Sequence, residues 1–304
     1  FSKSGELPGK TSDIYQMFSA SMLNPLPEDR KEFLSAMGLA DEFTEEMAEF
    51  ITKREDVHQI LKMLTRQNAF VTCLNDGQTY RFHHMMKECA FRAFRTLDDS
   101  RQAFYYERYG AWYEKHGAYI YALSAYRRNQ NFAAILRVVQ KDAGILLASL
   151  KPEEVLEVLN RCPVSVLKEY PLAILVLMRC MFNWKNIPKM LELKELILAS
   201  IREHPKLSEE ERGNLLGECD LIQSFLMYND ISRMSQFHRS ASEKMTRPAI
   251  SIRSDGGWTF GSPSVLMMFH RKSGDLDKEL EEMNQCMPHY YKITNGHGQG
   301  AETI

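Results

Sequence analysis

The feature that most constrains the fold is a β-hairpin signal that stands among helical patterns. The turn reads Asn75-Asp76-Gly77-Gln78, and the short apolar runs AFVTCL and TYRFH lie on either side of it. Asn, Asp and Gly tolerate the left-handed backbone of the tight turns that join two antiparallel strands. Three segments with helical spacing precede the hairpin and another follows it, an order that is typical of a winged-helix domain.

The helical segments before the hairpin carry clear start and packing signals. Thr44 is placed to cap the segment TEEMAEFITKR, and Glu45 and Glu46 suit the positive end of its dipole. We therefore predict a linker helix and a winged-helix domain over residues 1–97. In the segment VHQILKMLTRQN the apolar side chains recur on one face, namely Val57, Ile60, Leu61 and Leu64.

The remaining sequence consists of amphipathic helical segments that are separated by short turns. Helix–turn–helix units of roughly 34 to 45 residues are typical of α-solenoids. The stretch AWYEKHGAYIYALSAY resembles one tetratricopeptide (TPR) unit, since Gly117 permits a tight turn and Ala122 and Ala125 permit close helix packing. The predicted fold class is mostly α, with a TPR-like helical-repeat domain over residues 98–304.

Charge and composition argue against several classes of protein. The sequence has 38 Lys and Arg residues against 40 Asp and Glu residues, whereas a DNA-binding surface is usually clearly basic. No apolar run approaches the roughly 18 residues that a membrane span needs. The six cysteines show no CxxC spacing, which favours reduced thiols and a cytoplasmic protein.

The first residues give two further indications. In GELPGKT only three residues separate Gly5 from Gly9, whereas a phosphate-binding loop has four residues between its glycines and follows a strand. We therefore expect no nucleotide loop here. The sequence begins with Phe1 and shows no export signal, so we expect it to be a piece of a longer protein.

Several stretches carry a resemblance to a known family. LPEDRKEFL, LKMLTRQNAFVTCLNDGQTYRFHHMMKECAF and AWYEKHGAYIYALSAY resemble, in order and spacing, the middle of MalT-like, LuxR-type transcriptional regulators. The late stretches GSPSVLMMFHRKSGDL and CMPHYYKITNGHGQGAE are similar to the sensor region of the same group. The resemblance is strongest over residues 26–126 and 261–302.

The resemblance implies further domains on either side of this sequence. In that family a P-loop ATPase domain precedes the winged helix, and a helical sensor and a promoter-binding LuxR-type helix-turn-helix follow it. Neither flanking domain is present in this sequence. The resemblance therefore implies a fragment that is not itself an enzyme and holds no cofactor, while the full-length protein, a signalling ATPase, binds ATP or ADP.

His83 is the first candidate site residue. The run RFHHMMKE resembles the Met-His-Asp motif of the signalling ATPase superfamily, whose histidine donates a hydrogen bond to the β-phosphate of ADP. His83 matches that histidine, and His84 stands in place of the acidic residue. An imidazole N–H at a helix start adds to a field that already favours anions.

Other interpretations of the histidine pair remain open. His83 could instead pack between the hairpin and the helical repeats, and packing is the interpretation that we favour for His84. Adjacent residues of a helix point about 100° apart, so we expect no metal ion on this pair.

The second candidate site lies near the end of the sequence. Aromatic rings with polar tips suit an amphipathic small molecule or a peptide. The alternative is that the glycine-rich stretch at 295–300 is a flexible connector between helical units. The predicted ligand or partner surface consists of Trp258, Phe260, Tyr290, Tyr291 and His297.

Motifs of catalysis are missing from the sequence. It contains neither GxSxG nor HExxH, and no cysteine stands beside an evident base. Cys286 and His289 lie three residues apart, but Pro288 interrupts them, so we interpret this stretch as a helix end followed by a turn. An enzyme that uses the histidine pair or the cluster at residues 286–297 is therefore the weakest hypothesis.

We expect a regulatory fragment in which the winged helix couples an ATPase domain to a sensor. Its expected partners are that ATPase domain, a small-molecule or protein inducer, and promoter DNA through the absent C-terminal domain. We expect self-association in the active state and no membrane. The alternative is a helical-repeat scaffold whose winged helix contacts nucleic acid, although the wing carries Asp76 and only Arg81 nearby.

Overall fold

A computed structural model describes residues 8–66, 71–142, 149–228, 230–252 and 272–299. Helices dominate these ranges, and the chain divides into two compact units, Phe1–Asn131 and Phe132–Ile304. The predicted fold class, mostly α with a winged helix followed by helix pairs, is confirmed. The predicted domain boundary between residues 97 and 98 lies inside unit 1, and it stays a prediction.

Unit 1 has the element order of a winged helix, with one helix before it and three after it. Its three strands form an antiparallel sheet in the order β1-β3-β2. The elements are α1 (Pro8–Met22), α2 (Glu28–Met37), β1 (Glu42–Thr44), α3 (Glu45–Thr52), α4 (Val57–Arg66), β2 (Val71–Cys73), β3 (Thr79–Phe82), α5 (His84–Phe94), α6 (Asp99–Lys115) and α7 (Tyr119–Arg128).

The helix signals in the sequence act as predicted. The Thr44 side chain accepts a hydrogen bond from Met47 N at 3.2 Å, and Glu45 and Glu46 occupy the first turn of α3. A capped helix start of this kind contributes about 1 kcal/mol. All four apolar side chains that were predicted to share one face of α4 are buried, and they join the core of unit 1.

The hairpin forms at the predicted turn. Gly77 has a φ of 69° and donates its N–H to Leu74 O at 3.0 Å. The Asp76 carboxylate accepts hydrogen bonds from Gln78 N at 3.0 Å and Thr79 N at 2.9 Å, which fixes the turn between β2 and β3. These local bonds explain why the sequence signal was strong.

The first strand, β1, was not predicted. It pairs antiparallel with β3, so that Phe43 lies opposite Tyr80 and Glu42 opposite Arg81. Phe43 is buried, and its ring centroid lies 5.4 Å from that of Phe82. Three residues are too few to show alternation in a sequence, so only the pairing with β3 reveals this strand.

The helices α6 and α7 form a tightly packed hairpin. A Cβ atom at Gly110 would lie 2.3 Å from the Tyr126 ring, so no larger residue fits at this crossing without movement of that ring. The Tyr126 hydroxyl donates to Glu114 Oε2 at 2.9 Å. Gly117 joins the two helices with a φ of 71°, as the TPR-like pattern predicts.

The described residues of unit 2 are mostly helical. Among their helices, the pairs α11–α12, α13–α14 and α14–α15 pack side by side. Most side chains of α11 are buried, as expected for a helix at the centre of a helical layer. The helices are α8 (Phe132–Asp142), α9 (Pro152–Arg161), α10 (Val164–Lys168), α11 (Pro171–Asn183), α12 (Ile187–Glu203), α13 (Glu209–Ser224), α14 (Ile231–Lys244) and α15 (Leu276–Ile293), with a 3₁₀ turn at Phe225–Met227.

One prediction in unit 2 is wrong. The sequence predicts a helix end near Pro288, but α15 continues through this proline to Ile293. Pro288 is exposed, whereas the side chains of Met287 and Tyr290 are buried, and this burial supports the last turns of the helix. Within the described ranges, no helix has both the length and the apolar character needed to cross a membrane.

Candidate functional site

His83 lies where the sheet of the winged helix meets the helix that follows it. Phe82, the last residue of β3, is buried in the core of unit 1, and it fixes the position of the next residue. His83 occupies the N-cap position of α5 with φ −59° and ψ 143°. Its side chain is exposed. The predicted site residue therefore presents an imidazole at a helix N-terminus.

The local hydrogen bond of His83 favours one tautomer of its ring. Its Nδ1 atom accepts a hydrogen bond from Met85 N at 3.4 Å, which is long and therefore weak. A neutral imidazole that accepts at Nδ1 carries its proton on Nε2, so Nε2 is the donor atom. The His84 ring centroid lies 4.5 Å from the His83 ring, and His84 is exposed. The interpretation of His84 as a packed side chain is therefore wrong.

The surroundings of His83 favour an anion but do not enclose one. The first turn of α5 has no acidic residue, and Lys87 follows one turn later with an ion pair to Asp41. Partial burial lowers the pKa of Lys87. A cavity of about 860 Å³ in unit 1 is lined by residues of α1, α2, α5 and α6, and neither histidine is among them. His83 can thus offer one contact to a phosphate group, and the described residues around it form no phosphate cradle.

The second candidate site differs from its prediction. Tyr290 is 2% exposed and His297 is 3% exposed, and Tyr290 Oη lies 2.6 Å from His297 Nδ1. This bond pairs the Tyr290 hydroxyl with one ring nitrogen of His297, and both rings are buried and do not form an accessible surface. Tyr291 is half-buried. Trp258 and Phe260 lie outside the described residues, and their role stays a prediction.

The glycine-rich stretch after α15 folds back on that helix. Asn295 and Gly296 have φ angles of 53° and 79°, and Gly296 N donates to Tyr291 O at 2.9 Å. His297 N donates to Thr294 O at 3.3 Å. This turn returns the chain to α15, and in this way it brings His297 to Tyr290.

Sequence reasoning missed a buried polar network beside these rings. The Ser224 hydroxyl donates to Leu221 O at 2.6 Å and also lies 3.1 Å from His238 Nε2. Since its only proton is used, Ser224 accepts from His238 Nε2–H, and His238 Nδ1 is left to accept from the Cys286 thiol at 3.5 Å. No sequence motif joins these residues, because they come from α13, α14 and α15.

The electrostatics of this network show a structural role. Burial lowers the pKa of His238 to about 3 and raises the pKa of the Cys286 thiol to about 11. Both groups are therefore neutral at physiological pH. A nucleophilic cysteine requires a thiolate, usually beside a charged histidine, so this pair does not act as a catalytic dyad.

A second missed feature is the buried carboxylate of Glu218. Its Oε1 atom accepts hydrogen bonds from Arg247 Nη1 at 2.7 Å and Ile250 N at 3.1 Å. Its Oε2 atom accepts from Ser251 N at 3.1 Å and from the Ser251 hydroxyl at 2.8 Å. A buried charge is tolerated when it is paired and fully hydrogen-bonded, and here it fixes the chain that follows α14.

Metal binding finds no support in the described ranges, where no three His, Cys, Asp or Glu side chains are grouped to hold an ion. Among the described residues, no third His, Cys, Asp or Glu side chain lies close enough to His83 and His84 to form a metal site with them. The described geometry therefore offers an anion contact at His83 and buried structural networks in unit 2.

Comparison with known proteins gives one family match. Residues 19–103 match the family model of the MalT winged helix domain. No curated protein matches the sequence. A solved structure of a signal transduction ATPase with numerous domains (STAND) protein with a tetratricopeptide repeat sensor, from Pyrococcus horikoshii, aligns with 94% of this chain at 15% identity and a TM-score of 0.42. The aligned part is 41% of that protein's chain, so this chain spans less than half of its length. The resemblance to MalT-like regulators is thereby confirmed for the winged-helix domain, over residues 19–103.

Proposed function

We propose that this chain is the regulatory middle part of a cytoplasmic, ATP-dependent transcriptional activator of the LuxR family. The winged helix contacts an ATPase domain that precedes it in the full-length protein. Unit 2 binds an inducer, and a helix-turn-helix beyond this chain binds the promoter. The chain itself catalyses no reaction, and the assembled activator self-associates.

The observation that carries this proposal is the exposed imidazole of His83 within a MalT-type winged helix. The ring stands at the first turn of α5, where the helix dipole also favours negative charge. In the full-length protein it donates from Nε2 to the β-phosphate of ADP. One contact cannot replace a nucleotide pocket, so we expect this chain alone to retain no ADP.

The proposed switch has a defined energetic requirement. To convert a population from 1:99 to 99:1 in favour of the active state, ligands must bind that state with about 5.5 kcal/mol of differential affinity. ATP in the preceding domain and the inducer on unit 2 share this requirement. Neither ligand alone needs to supply the whole difference.

The coding sequence on either side of this chain and a promoter assay test the proposal. We expect GxxxxGK[ST] upstream and a LuxR-type helix-turn-helix downstream. We also expect the full-length protein to activate transcription only when ATP and the inducer are both present. A coding sequence that lacks both flanking motifs would refute the proposal.

A specific feature of α4 supports a second candidate function, in which the winged helix contacts nucleic acid. His58, Lys62 and Arg66 are all exposed and lie four residues apart, so they form one stripe along the helix. The helix contains no acidic residue. In helix-turn-helix proteins the corresponding helix enters the major groove.

Other charges oppose this second candidate. Glu45 Oε2 lies 3.2 Å from His58 Nδ1, and Arg81 is engaged by Glu42. A mobility shift with random duplex DNA at low salt distinguishes the two functions. If the protein binds DNA, and if Lys62→Ala and Arg66→Ala each weaken this binding, the result would favour the nucleic-acid function. If micromolar protein gives no mobility shift, the result would favour the regulatory function.

A further inference from the structure

Side chains of helix α6 bind carbonyl groups near the C-terminal ends of two helices of the winged helix, α2 and α3. The last carbonyl groups of any α-helix lack partners within that helix and require partners from elsewhere. In α3 the Glu49 carbonyl is satisfied by Lys53 N, and in α2 the Leu34 carbonyl is satisfied by Gly38 N. Two further carbonyls near these helix ends, Phe50 O in α3 and Ala36 O in α2, accept hydrogen bonds from side chains of α6.

Arg108 caps the end of α3. Its Nε atom donates to Phe50 O at 2.5 Å, and Nη2 donates to the same oxygen. The guanidinium carbon also lies 4.3 Å from the centroid of the Phe50 ring. A cation at a helix C-terminus interacts favourably with the helix dipole. One side chain therefore binds α3 by hydrogen bonds, by a cation–π contact and by its charge.

The neighbouring tyrosines bind α2. The Tyr109 hydroxyl, which is buried, donates to Ala36 O at 2.9 Å. The Tyr105 hydroxyl donates to Glu32 Oε1 at 2.9 Å, and Arg101 donates to the other oxygen of Glu32 at 2.9 Å. The family match ends at residue 103, so the two capping residues lie beyond it.

Apolar packing joins the same elements. Tyr105, Tyr109 and Trp112 of α6 belong to one hydrophobic core with the buried side chains of α2 to α5. The Trp112 ring centroid lies 5.4 Å from that of Phe50. Burial of large apolar side chains stabilises the contact between the elements that share them. The contact between α6 and the winged helix is therefore of the kind found inside a domain.

The turn after α7 is also anchored on α6. Glu107 Oε2 accepts hydrogen bonds from Asn129 Nδ2 at 3.1 Å and from Asn131 Nδ2 at 2.8 Å. Gln130 between them adopts a left-handed conformation with a φ of 52°. The compact unit ends at Asn131, directly after this anchored turn.

We propose that α6 and α7 are a fixed part of the winged-helix body, and that this body opens as one cooperative unit that ends at Asn131. Arg108 and Tyr109 are the positioning residues that hold the helix pair in place.

Native-state hydrogen exchange of the 304-residue chain in increasing denaturant tests the proposal without nucleotide, inducer or DNA. We expect the amides of α6 to open together with those of α2 and α3, with one opening free energy and one denaturant dependence. The amides of α11 to α14 should form a separate group. Exchange of α6 and α7 together with unit 2 would overturn the proposal.

Two substitutions in the same chain identify the residues that hold the helix pair. Arg108→Ala should lower protection at the end of α3 and in the middle of α6 together, by about tenfold or more, since it removes bonds to a helix end. Arg108→Lys should restore part of this protection, and Arg128→Ala, at the exposed end of α7, should change neither segment. A loss of protection in α6 alone, with α3 unchanged, would contradict the positioning role.

Tyr109→Phe provides a milder variant that keeps the buried ring and removes only the bond to Ala36 O. We expect it to lower protection at the end of α2 and in α6 while the fold is retained. Protection equal to that of the wild type in both segments would contradict the capping role of this hydroxyl.

Discussion

Glu218→Gln tests whether the buried carboxylate holds the chain that follows α14. Glu218 has no exposed surface, and its two oxygens accept four hydrogen bonds from Arg247, Ile250 and Ser251. Glutamine has nearly the same shape, but its amide nitrogen cannot accept a hydrogen bond. An amide nitrogen at the Oε1 position loses the bonds from Arg247 and Ile250 N. At the Oε2 position it loses the bond from Ser251 N, while the Ser251 hydroxyl can rotate to accept from it.

The size of the effect follows from these contacts. A hydrogen bond to a charged group contributes about 1.5–3 kcal/mol, so the loss of one or two such bonds costs about 1.5–6 kcal/mol. The removal of one partner of a buried ion pair costs a similar amount, about 3–5 kcal/mol. A native domain is stable by only about 5–15 kcal/mol, so the variant loses a large fraction of the stability of unit 2.

The assay is urea unfolding followed by circular dichroism, with Glu211→Gln as the matched control. Glu211 also binds Arg247, at 2.8 Å, but its side chain is 36% exposed. A pair at the surface contributes about 0–1 kcal/mol. The control should therefore change the free energy of unfolding by less than Glu218→Gln does. Equal changes below 1 kcal/mol for both variants would refute the reasoning.

Three further predictions concern buried groups. Burial lowers the pKa of His238 to about 3, below its unfolded value of about 6.5. Between these pH values the unfolded chain therefore binds one more proton than the folded chain. The free energy of unfolding should thus rise by about 1.4 kcal/mol per pH unit up to pH 6.5. Urea titrations from pH 4.5 to 7.5 should show that His238→Gln reduces this slope, and an unchanged slope would contradict the assignment. Iodoacetamide should label the exposed Cys73 first, while Cys219, whose pKa burial raises to about 12, should react only after unfolding; equal labelling rates of the folded chain would disprove this. Gly110→Ala should cost about 1–3 kcal/mol in thermal unfolding, because the added Cβ meets the Tyr126 ring, and a stability gain would contradict the packing.

Features with local causes could be predicted from the sequence. The cap at Thr44, the buried face of α4 and the hairpin turn at Gly77 each depend on residues within a few positions of one another. Such signals are visible in a single sequence because backbone conformation and helical spacing act at short range. The winged helix followed by helix pairs is the sum of these local features.

Features with long-range causes could not be predicted. Strand β1 exists because β3 pairs with it, and the caps of α2 and α3 come from α6, more than fifty residues away. The network of Ser224, His238 and Cys286 likewise joins three helices. No spacing pattern within a single sequence indicates such contacts between distant residues.

The aromatic site illustrates how a local pattern leaves the burial of its residues open, and the predicted surface as a whole stays a prediction. Tyr290 and His297 do come together, as their shared region predicted, but they satisfy each other inside the core. A ring with a polar tip suits a ligand surface and a buried pair equally well, and burial depends on the surrounding helices. His83, in contrast, occupies an exposed helix start that is compatible with its proposed contact.

The most direct test of the proposed function is the affinity of the full-length protein for ADP, measured by calorimetry for the wild type, His83→Ala and His84→Ala. The account predicts that His83→Ala weakens ADP binding by about 10- to 150-fold, the equivalent of one hydrogen bond to a charged phosphate group. His84→Ala, at the adjacent exposed position, should bind ADP like the wild type. Wild-type ADP affinity in the His83→Ala protein would contradict the account.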